Sequence, residues 1–309
     1  MPNVVCRLSS GFVYTLYLSR KRTPRARVAM RIDSGIPCAP WAPPLLRWAG
    51  SKRKLLPLLM AYSPSEFKRY VEPFAGSACL FFALRPRQAI LGDINAELLE
   101  TYSTVRSHPR LVARKARSWN SSRTHYYAIR RRVPQELQPV ERAARFVYLN
   151  RRCFNGVYRT NRRGAFNVPR GVRTGRFPDE RTFYRCSVAL RGTEFRSGDF
   201  ENCLSDVRKG DFVYLDPPYS VTRPRFGEYG YGCFGDPDLE RLAACLKRID
   251  SVGATFLVSY SDSGEFRDLI QEWNCITLRV RRHVAGFARH RATVSEILAS
   301  NKVLNKAGS

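Results

Sequence analysis

Histidine and methionine are scarce in this chain, at four and three residues of 309. The histidines (His108, His125, His283 and His290) are scattered, and the nine cysteines include no Cys-x-x-Cys pair. Zinc sites and disulfide frameworks both need spaced partners, so the sequence predicts no metal and reduced thiols in a cytoplasm. Long apolar runs are also missing. A membrane span needs roughly 18–20 apolar residues. The longest early run, Phe12 to Leu18, is followed at once by Arg20, Lys21 and Arg22. Acids are few, with 26 Asp and Glu against 53 Lys and Arg, for a net charge of +27. That balance favours a polyanionic partner, although an arginine-rich coding bias produces the same number.

What remains is enough for a folded protein. Apolar residues make up 44% and aromatics 12%, so one large α/β domain with a smaller companion can bury a core. Residues 1–40 carry Asp33 as their only acid and end in Pro37-Cys38-Ala39-Pro40. They are expected to be disordered or to reflect a misassigned start, because Met30 begins a shorter chain that keeps every motif below. From Arg69 the pattern changes to a short strand, a small-residue turn at Glu72-Pro73-Phe74-Ala75-Gly76-Ser77, and a helix from Ala78 to Leu84. Ala89 to Asp93 is a second apolar strand ending in an acid, and Ala96 to Val105 is helical. This is the opening of a doubly wound sheet. Strand Asp211–Asp216, helix Leu239–Ile249 and strand Ala254–Tyr260 repeat the rhythm late in the chain. Between the two halves the sequence is arginine-dense and lacks that rhythm. The organisation predicted is a discontinuous core of 41–105 and 185–300, an inserted domain of 106–184, and a tail of 301–309.

The most specific signal is Asp216-Pro217-Pro218-Tyr219, directly after a buried strand. An exocyclic amine on a purine is a poor nucleophile because its lone pair is delocalised. Acceptors around its hydrogens, here the Asp216 carboxylate and the Pro217 carbonyl, favour a nitrogen closer to sp3 and stabilise the positive charge that develops on attack. The prolines stiffen the turn and offer acceptors only, and Tyr219 is placed to stack on a base. An ordinary Asp-Pro turn is the bland alternative. The turn at Glu72 to Ala78 suits close approach of a cofactor to the backbone. Asp93 stands where an acid commonly takes ribose hydroxyls, or where it caps a helix. Upstream, Arg47-Trp48-Ala49-Gly50-Ser51-Lys52 sets an aromatic and a cation around a glycine. The indole is read against a sulfonium and the ammonium near a carboxylate. Taken alone, the same residues are a buried tryptophan and a solvated lysine.

In this order the elements resemble the DNA adenine methylase (Dam) family, from Pro44 to about Leu298. The resemblance implies an α/β fold: a Rossmann-like S-adenosylmethionine-dependent methyltransferase core with an inserted, mainly helical target-recognition domain carrying a β-hairpin. It implies S-adenosylmethionine as cofactor, held by Trp48, Lys52, Glu72, Phe74, Gly76, Asp93, Asp199, Phe200 and Asp216. It also implies catalysis by Asp216, Pro217, Pro218 and Tyr219 around an adenine flipped out of double-stranded DNA. Ala78 departs from a position where many members have glycine. Ser259 to Ser263 resemble a further family segment of underived role.

The insert resembles the family's recognition hairpin at Tyr148-Leu149-Asn150-Arg151, Phe154 to Arg159, Asn161 and Gly164 to Pro169. Phe154 is read as a wedge into the base stack, Asn155 as a phosphate contact, Arg159 as a fork onto guanine O6 and N7, and Pro169 as a contact to a thymine methyl. Arg47, Val157 and Asn161 complete the implied DNA-binding set, and matching positions in the family help read GATC. Arg130, Arg131, Arg132, Arg162 and Arg163 are read as phosphate contacts or solvated charge. The whole implies a monomeric, cytoplasmic or nucleoid-associated enzyme of bacterial or phage origin, with or without a cognate restriction endonuclease. The alternatives are a catalytically silent DNA-binding relative and a cytosine-N4 methyltransferase, whose loop usually starts with serine. A protein-glutamine methyltransferase usually starts it with asparagine.

Overall fold

The computed structural model describes residues 44–161, 163–172, 174–219, 234–279 and 295–304, and the backbone of 4–7, 13–18, 28–31, 280–281 and 293–294. Three short strands come first: β1 (Val4–Arg7), β2 (Val13–Leu18) and β3 (Val28–Arg31). These lie where the composition suggested disorder. The rest of the segment 1–40 is outside the described residues, as is the tail beyond Leu304.

The main body begins with α1 (Leu56–Tyr62) and alternates through β4 (Arg69–Glu72), α2 (Cys79–Leu84), β5 (Ala89–Asp93) and α3 (Ala96–Ser107). Then α4 (Pro109–Ser118), α5 (Arg123–Arg131) and α6 (Pro139–Arg152) interrupt the alternation. It resumes with α7 (Glu180–Ala189), β6 (Thr193–Ser197), α8 (Phe200–Leu204), β7 (Asp211–Leu215), α9 (Asp236–Ser251), β8 (Thr255–Ser261), α10 (Gly264–Leu269), β9 (Asn274–Arg281) and β10 (Thr293–Ser300).

The sheet order is β1-β2-β3-β9-β10-β8-β7-β4-β5-β6. Strands β6, β5, β4, β7 and β8 are all parallel, while β10 is antiparallel to both neighbours, β8 and β9. This is the doubly wound, Rossmann-like arrangement expected, with an antiparallel strand, β10, inserted between β8 and β9. The chain reverses direction of winding between β4 and β7. In such sheets ligands bind in the crevice beyond the strand ends at that switch point.

Both faces are covered, which explains the near-continuous apolar strands: β4, β5 and β7 are buried at every residue. Alternation sorts the side chains. Val71, Val213, Leu215 and Val258 join Leu239, Leu242, Leu246 and Ile249 of α9 on one face. Tyr70, Phe212, Tyr214 and Leu257 join α1 to α7 on the other. The inserted helices therefore extend one layer of the core rather than forming a separate globule. The expected boundary at 184 falls within α7. Among the described residues no helix is long and apolar enough to cross a membrane.

Candidate active site

Strand β7 delivers Asp216 to the switch point, beside the end of β4 at Glu72. The Asp216 carboxylate is already engaged. Lys52 Nζ donates to its Oδ1 at 2.7 Å, and Ser259 Oγ donates to the same oxygen at 3.0 Å. Both contacts fall on Oδ1, and a fifth of the side chain stays exposed. Ser259 in turn shares a 3.1 Å bond with the buried Tyr214 hydroxyl. Ser259 belongs to the Ser259–Ser263 segment, so the structure places that segment behind the carboxylate.

Lys52 sits on a 3-10 turn over Lys52–Leu55 and is only 5% exposed. Its ammonium also donates to the Tyr219 hydroxyl at 2.7 Å and lies 3.9 Å from Glu296 Oε2 on β10. Burial opposes this charge, but the oxygens of Asp216, Tyr219 and Glu296 outweigh it and hold the ammonium above its usual range. Burial likewise raises the Asp216 carboxyl, while Lys52 pulls it back down. The bland reading of Lys52 as a solvated cation is excluded, and its expected neighbour carboxylate is Asp216. Tyr219 packs edge-on against Tyr260 at 5.2 Å between ring centres.

The small-residue turn is tightly constrained. Gly76 has φ +46°, and a Cβ there would lie 2.7 Å from Trp48 Cδ1. Ala78 also has a left-handed φ of 48°, which explains why glycine suits that position in the family. Tyr102 donates to the Gly76 carbonyl at 2.8 Å, and Ser51 and Ser77 share a 2.9 Å hydroxyl bond. Asp93 accepts from the Gly76 N–H and the Asn95 N–H, each at 2.9 Å. The helix cap proposed for Asp93 is instead Asn95, whose side chain accepts from Leu98 N. Burial pushes the Asp93 carboxyl up to about 6, with the two N–H bonds opposing the rise. Glu72 is buried, accepts from the Tyr70 hydroxyl at 3.0 Å, and is pushed well up by that burial.

Phe74 and Phe200 come together at 5.4 Å, with Phe234 packed against both. Asp199 caps α8 through Glu201 N and also accepts from Arg241 at 2.6 Å, and the Arg241 guanidinium stacks over Phe200. Tyr102, Phe234, Arg241 and Glu296 lay outside the sequence expectation because no local pattern marks them.

Besides lying against the Gly76 turn, Trp48 packs on the insert. Its ring stacks on Tyr158 at 5.7 Å and on Phe146 at 6.5 Å, both from the insert. Arg47 exchanges two backbone bonds with the Asn150 side chain, at 2.8 and 2.6 Å, and donates to the Thr174 carbonyl. The segment 44–48 is thereby clasped by α6.

The hairpin is built from few bonds: Asn167 N to Arg159 O, Asn161 N to Ala165 O, and Phe154 N to Pro169 O. Two isolated bridges, Cys153 with Arg170 and Thr160 with Phe166, take the place of regular strands. Phe154 is 40% exposed, and the exposed Asn155 beside it has a left-handed φ of 55°. Arg159 is exposed, with Nε donating to Asn167 Oδ1 at 2.8 Å. Asn161 uses its side-chain oxygen to accept from Arg163 N and Ala165 N, so it shapes the turn. Val157 is half-buried and Pro169 exposed. Arg130 is no free cation: it donates to the carbonyls of Asn167 and Val168 and props the hairpin. Arg132 pairs with Glu141, and Arg162 lies outside the described residues.

Known proteins resemble this chain in sequence over most of its length. A Type II methyltransferase of Lactococcus lactis subsp. cremoris is 33% identical over 84% of this chain and 95% of its own length. A Type II methyltransferase of Methanocaldococcus jannaschii is 32% identical over 72% of this chain and 86% of its own. The DNA adenine methylase of Serratia marcescens is 30% identical over 82% and 96%. The profile of the D12 class N6 adenine-specific DNA methyltransferases matches residues 48–284, from Trp48 through both halves of the sheet and the insert between them. With the Asp-Pro-Pro-Tyr loop at the switch point and relatives of this kind across most of its length, the chain belongs to the D12 class of N6 adenine-specific DNA methyltransferases.

Proposed function

We propose that the chain methylates N6 of an adenine flipped out of duplex DNA, with S-adenosylmethionine as donor and a short site such as GATC as target. The observation that carries this reading is the Asp216 carboxylate at the switch point, held on Oδ1 by Lys52 and Ser259 with a fifth of its side chain exposed. An amine N–H bonded to that carboxylate gains electron density on nitrogen, and the carboxylate stabilises the positive charge that builds there. Pro217 adds a carbonyl acceptor and no competing N–H. Extruding the base costs a few kcal/mol of stacking, which contacts from the exposed Phe154 and Asn155 would offset.

The residues present fit the donor. Gly76 lets the turn bend at φ +46° against Trp48, Asp93 offers carboxylate lone pairs at the end of β5, and Phe74 and Phe200 offer ring faces for an adenine. Bound there, S-adenosylmethionine supplies an electrophilic methyl group on a sulfonium. Trp48, Lys52 and Glu72 then act from behind the turn, and Asp199 with Phe200 flanks the purine. Because an ionised Asp93 accepts a ribose hydroxyl better than a protonated one, donor affinity is expected to fall as pH drops through about 6. Titration calorimetry across that range checks this, and Asp93→Asn should remove the pH dependence. A flat profile in the parent protein would show that Asp93 does not meet the ribose.

Residues 106–184 act in this reading as the target-recognition unit, with Phe154, Asn155, Val157, Arg159, Asn161, Pro169 and Arg47 along the DNA. The Arg159 Nε is taken by Asn167, which leaves the two-nitrogen end of the guanidinium for guanine O6 and N7. Arg159→Ala is expected to relax discrimination at one base pair by about 1–3 kcal/mol. Competition binding with single-base variants of the site measures it, and undiminished discrimination would remove Arg159 from the readout.

The direct test incubates the protein and S-adenosylmethionine with unmethylated genomic DNA and maps N6-methyladenine by single-molecule sequencing. Methylation confined to GATC supports the whole reading. A different adenine-containing motif keeps the chemistry and overturns the assignment of the hairpin residues.

A further inference from the structure

Glu296 is a carboxylate in a strand that has no structural need of one. It precedes Ile297, Leu298 and Ala299, all buried, and its own side chain is 4% exposed. Burying a carboxylate costs several kcal/mol unless a charge or hydrogen bonds compensate it. Register with Ser261 on β8 and Leu278 on β9 fixes Glu296 in the middle of the antiparallel pair. From there it reaches the Lys52 ammonium, with Oε2 3.9 Å from Nζ.

The charge count at this spot matters for the reaction. A single ammonium 2.7 Å from Asp216 Oδ1 would cancel the carboxylate that has to polarise the amine. With Glu296 beside it as well, the ammonium is divided between two carboxylates, so less of its charge is set against Asp216. Lys52 cannot leave the site, because it is enclosed and bound to the Tyr219 hydroxyl as well. Its charge can only be shared among the oxygens around it.

We propose that Glu296 is a positioning residue for methyl transfer: by sharing the Lys52 ammonium it preserves the negative charge of Asp216 for the target amine. Glu296 touches neither the base nor the donor in this account and acts only through Lys52. The inference rests on Asp216 being the acceptor for that amine.

The test is a cycle of purified full-length variants assayed on a methylatable duplex: Glu296→Gln, Lys52→Met and the double variant, with Asp216→Asn alongside. Glu296→Gln is expected to lower kcat about 10–100-fold, as for a buried charge left short of a partner, with KM for DNA and for S-adenosylmethionine unchanged. In the Lys52→Met background the same change should cost little, because there is no ammonium left to share. An equal loss from Glu296→Gln in both backgrounds would overturn the inference, as would a wild-type kcat for Glu296→Gln. Should the glutamine variant fail to fold, Glu296→Asp replaces it, with a smaller drop in kcat expected and a wild-type kcat again counting against the inference. Retained turnover in Asp216→Asn would instead bring down the catalytic reading itself, so the two failures are distinguishable.

Discussion

Asp216→Asn is expected to lower the rate of methyl transfer by about 10²–10³-fold or more while leaving affinity for duplex DNA unchanged. The substitution keeps the shape of the side chain and its place at the end of β7, but its amide carries no charge to set against a positive nitrogen. It also deprives Lys52 of its nearest counter-ion at 2.7 Å. Breaking a buried pair by removing one partner typically costs about 3–5 kcal/mol. Glu296 and Tyr219 remain around the ammonium, so a loss below that range is expected in thermal unfolding. Single-turnover methylation and a melting curve together separate the two effects. A folded, DNA-binding variant that still turns over at the parental rate would remove Asp216 from the chemistry.

Gly76→Ala is expected to abolish tight donor binding and to destabilise the protein. At φ +46° an alanine carries about 1–2 kcal/mol of backbone strain. Its Cβ would also sit 2.7 Å from Trp48 Cδ1, and the indole has no room to retreat because Tyr158 and Phe146 stack against it. Overpacking of this kind costs about 1–3 kcal/mol more. The clash is transmitted to the insert through Trp48, so weakened specific DNA binding is expected as well. Calorimetry with S-adenosylmethionine and a binding series with cognate and non-cognate duplex check both. Unaltered donor affinity would show that the turn is not the donor's seat.

Local chemistry was readable wherever one short stretch contained the whole device. Asp216-Pro217-Pro218-Tyr219 follows an apolar strand with no intervening residue. The Glu72–Gly76 turn joins a strand to a helix within a few positions. Strands β5, β7 and β8 and helices α3 and α9 lie within a few residues of the sequence expectation, because strands buried on both faces and helices with one apolar stripe carry strong periodic signals. Strands β6, β9 and β10 escaped notice. β6 is an edge strand with little burial, and β9 and β10 mix arginine, threonine and serine among their apolar residues. Asp93 was placed correctly at a strand end, yet its choice between ribose contact and helix cap depended on whether Asn95 capped α3 instead.

By itself the sequence determined the doubly wound core, the interrupting basic insert and the identity of the loop that carries the carboxylate. It did so because alternation, turn residues and contiguous motifs are local properties of the chain. Only the tertiary structure decided where single side chains end up. It turned Trp48 toward Tyr158, committed Asn161 to its own turn, spent Arg130 on the hairpin's carbonyls, and brought Lys52, Asp216 and Glu296 to one point. The meeting of Lys52, Asp216 and Glu296 depends on how strands β7, β8 and β10 pair, far apart along the chain. Sheet register sets that meeting, and no local pattern of residues encodes it.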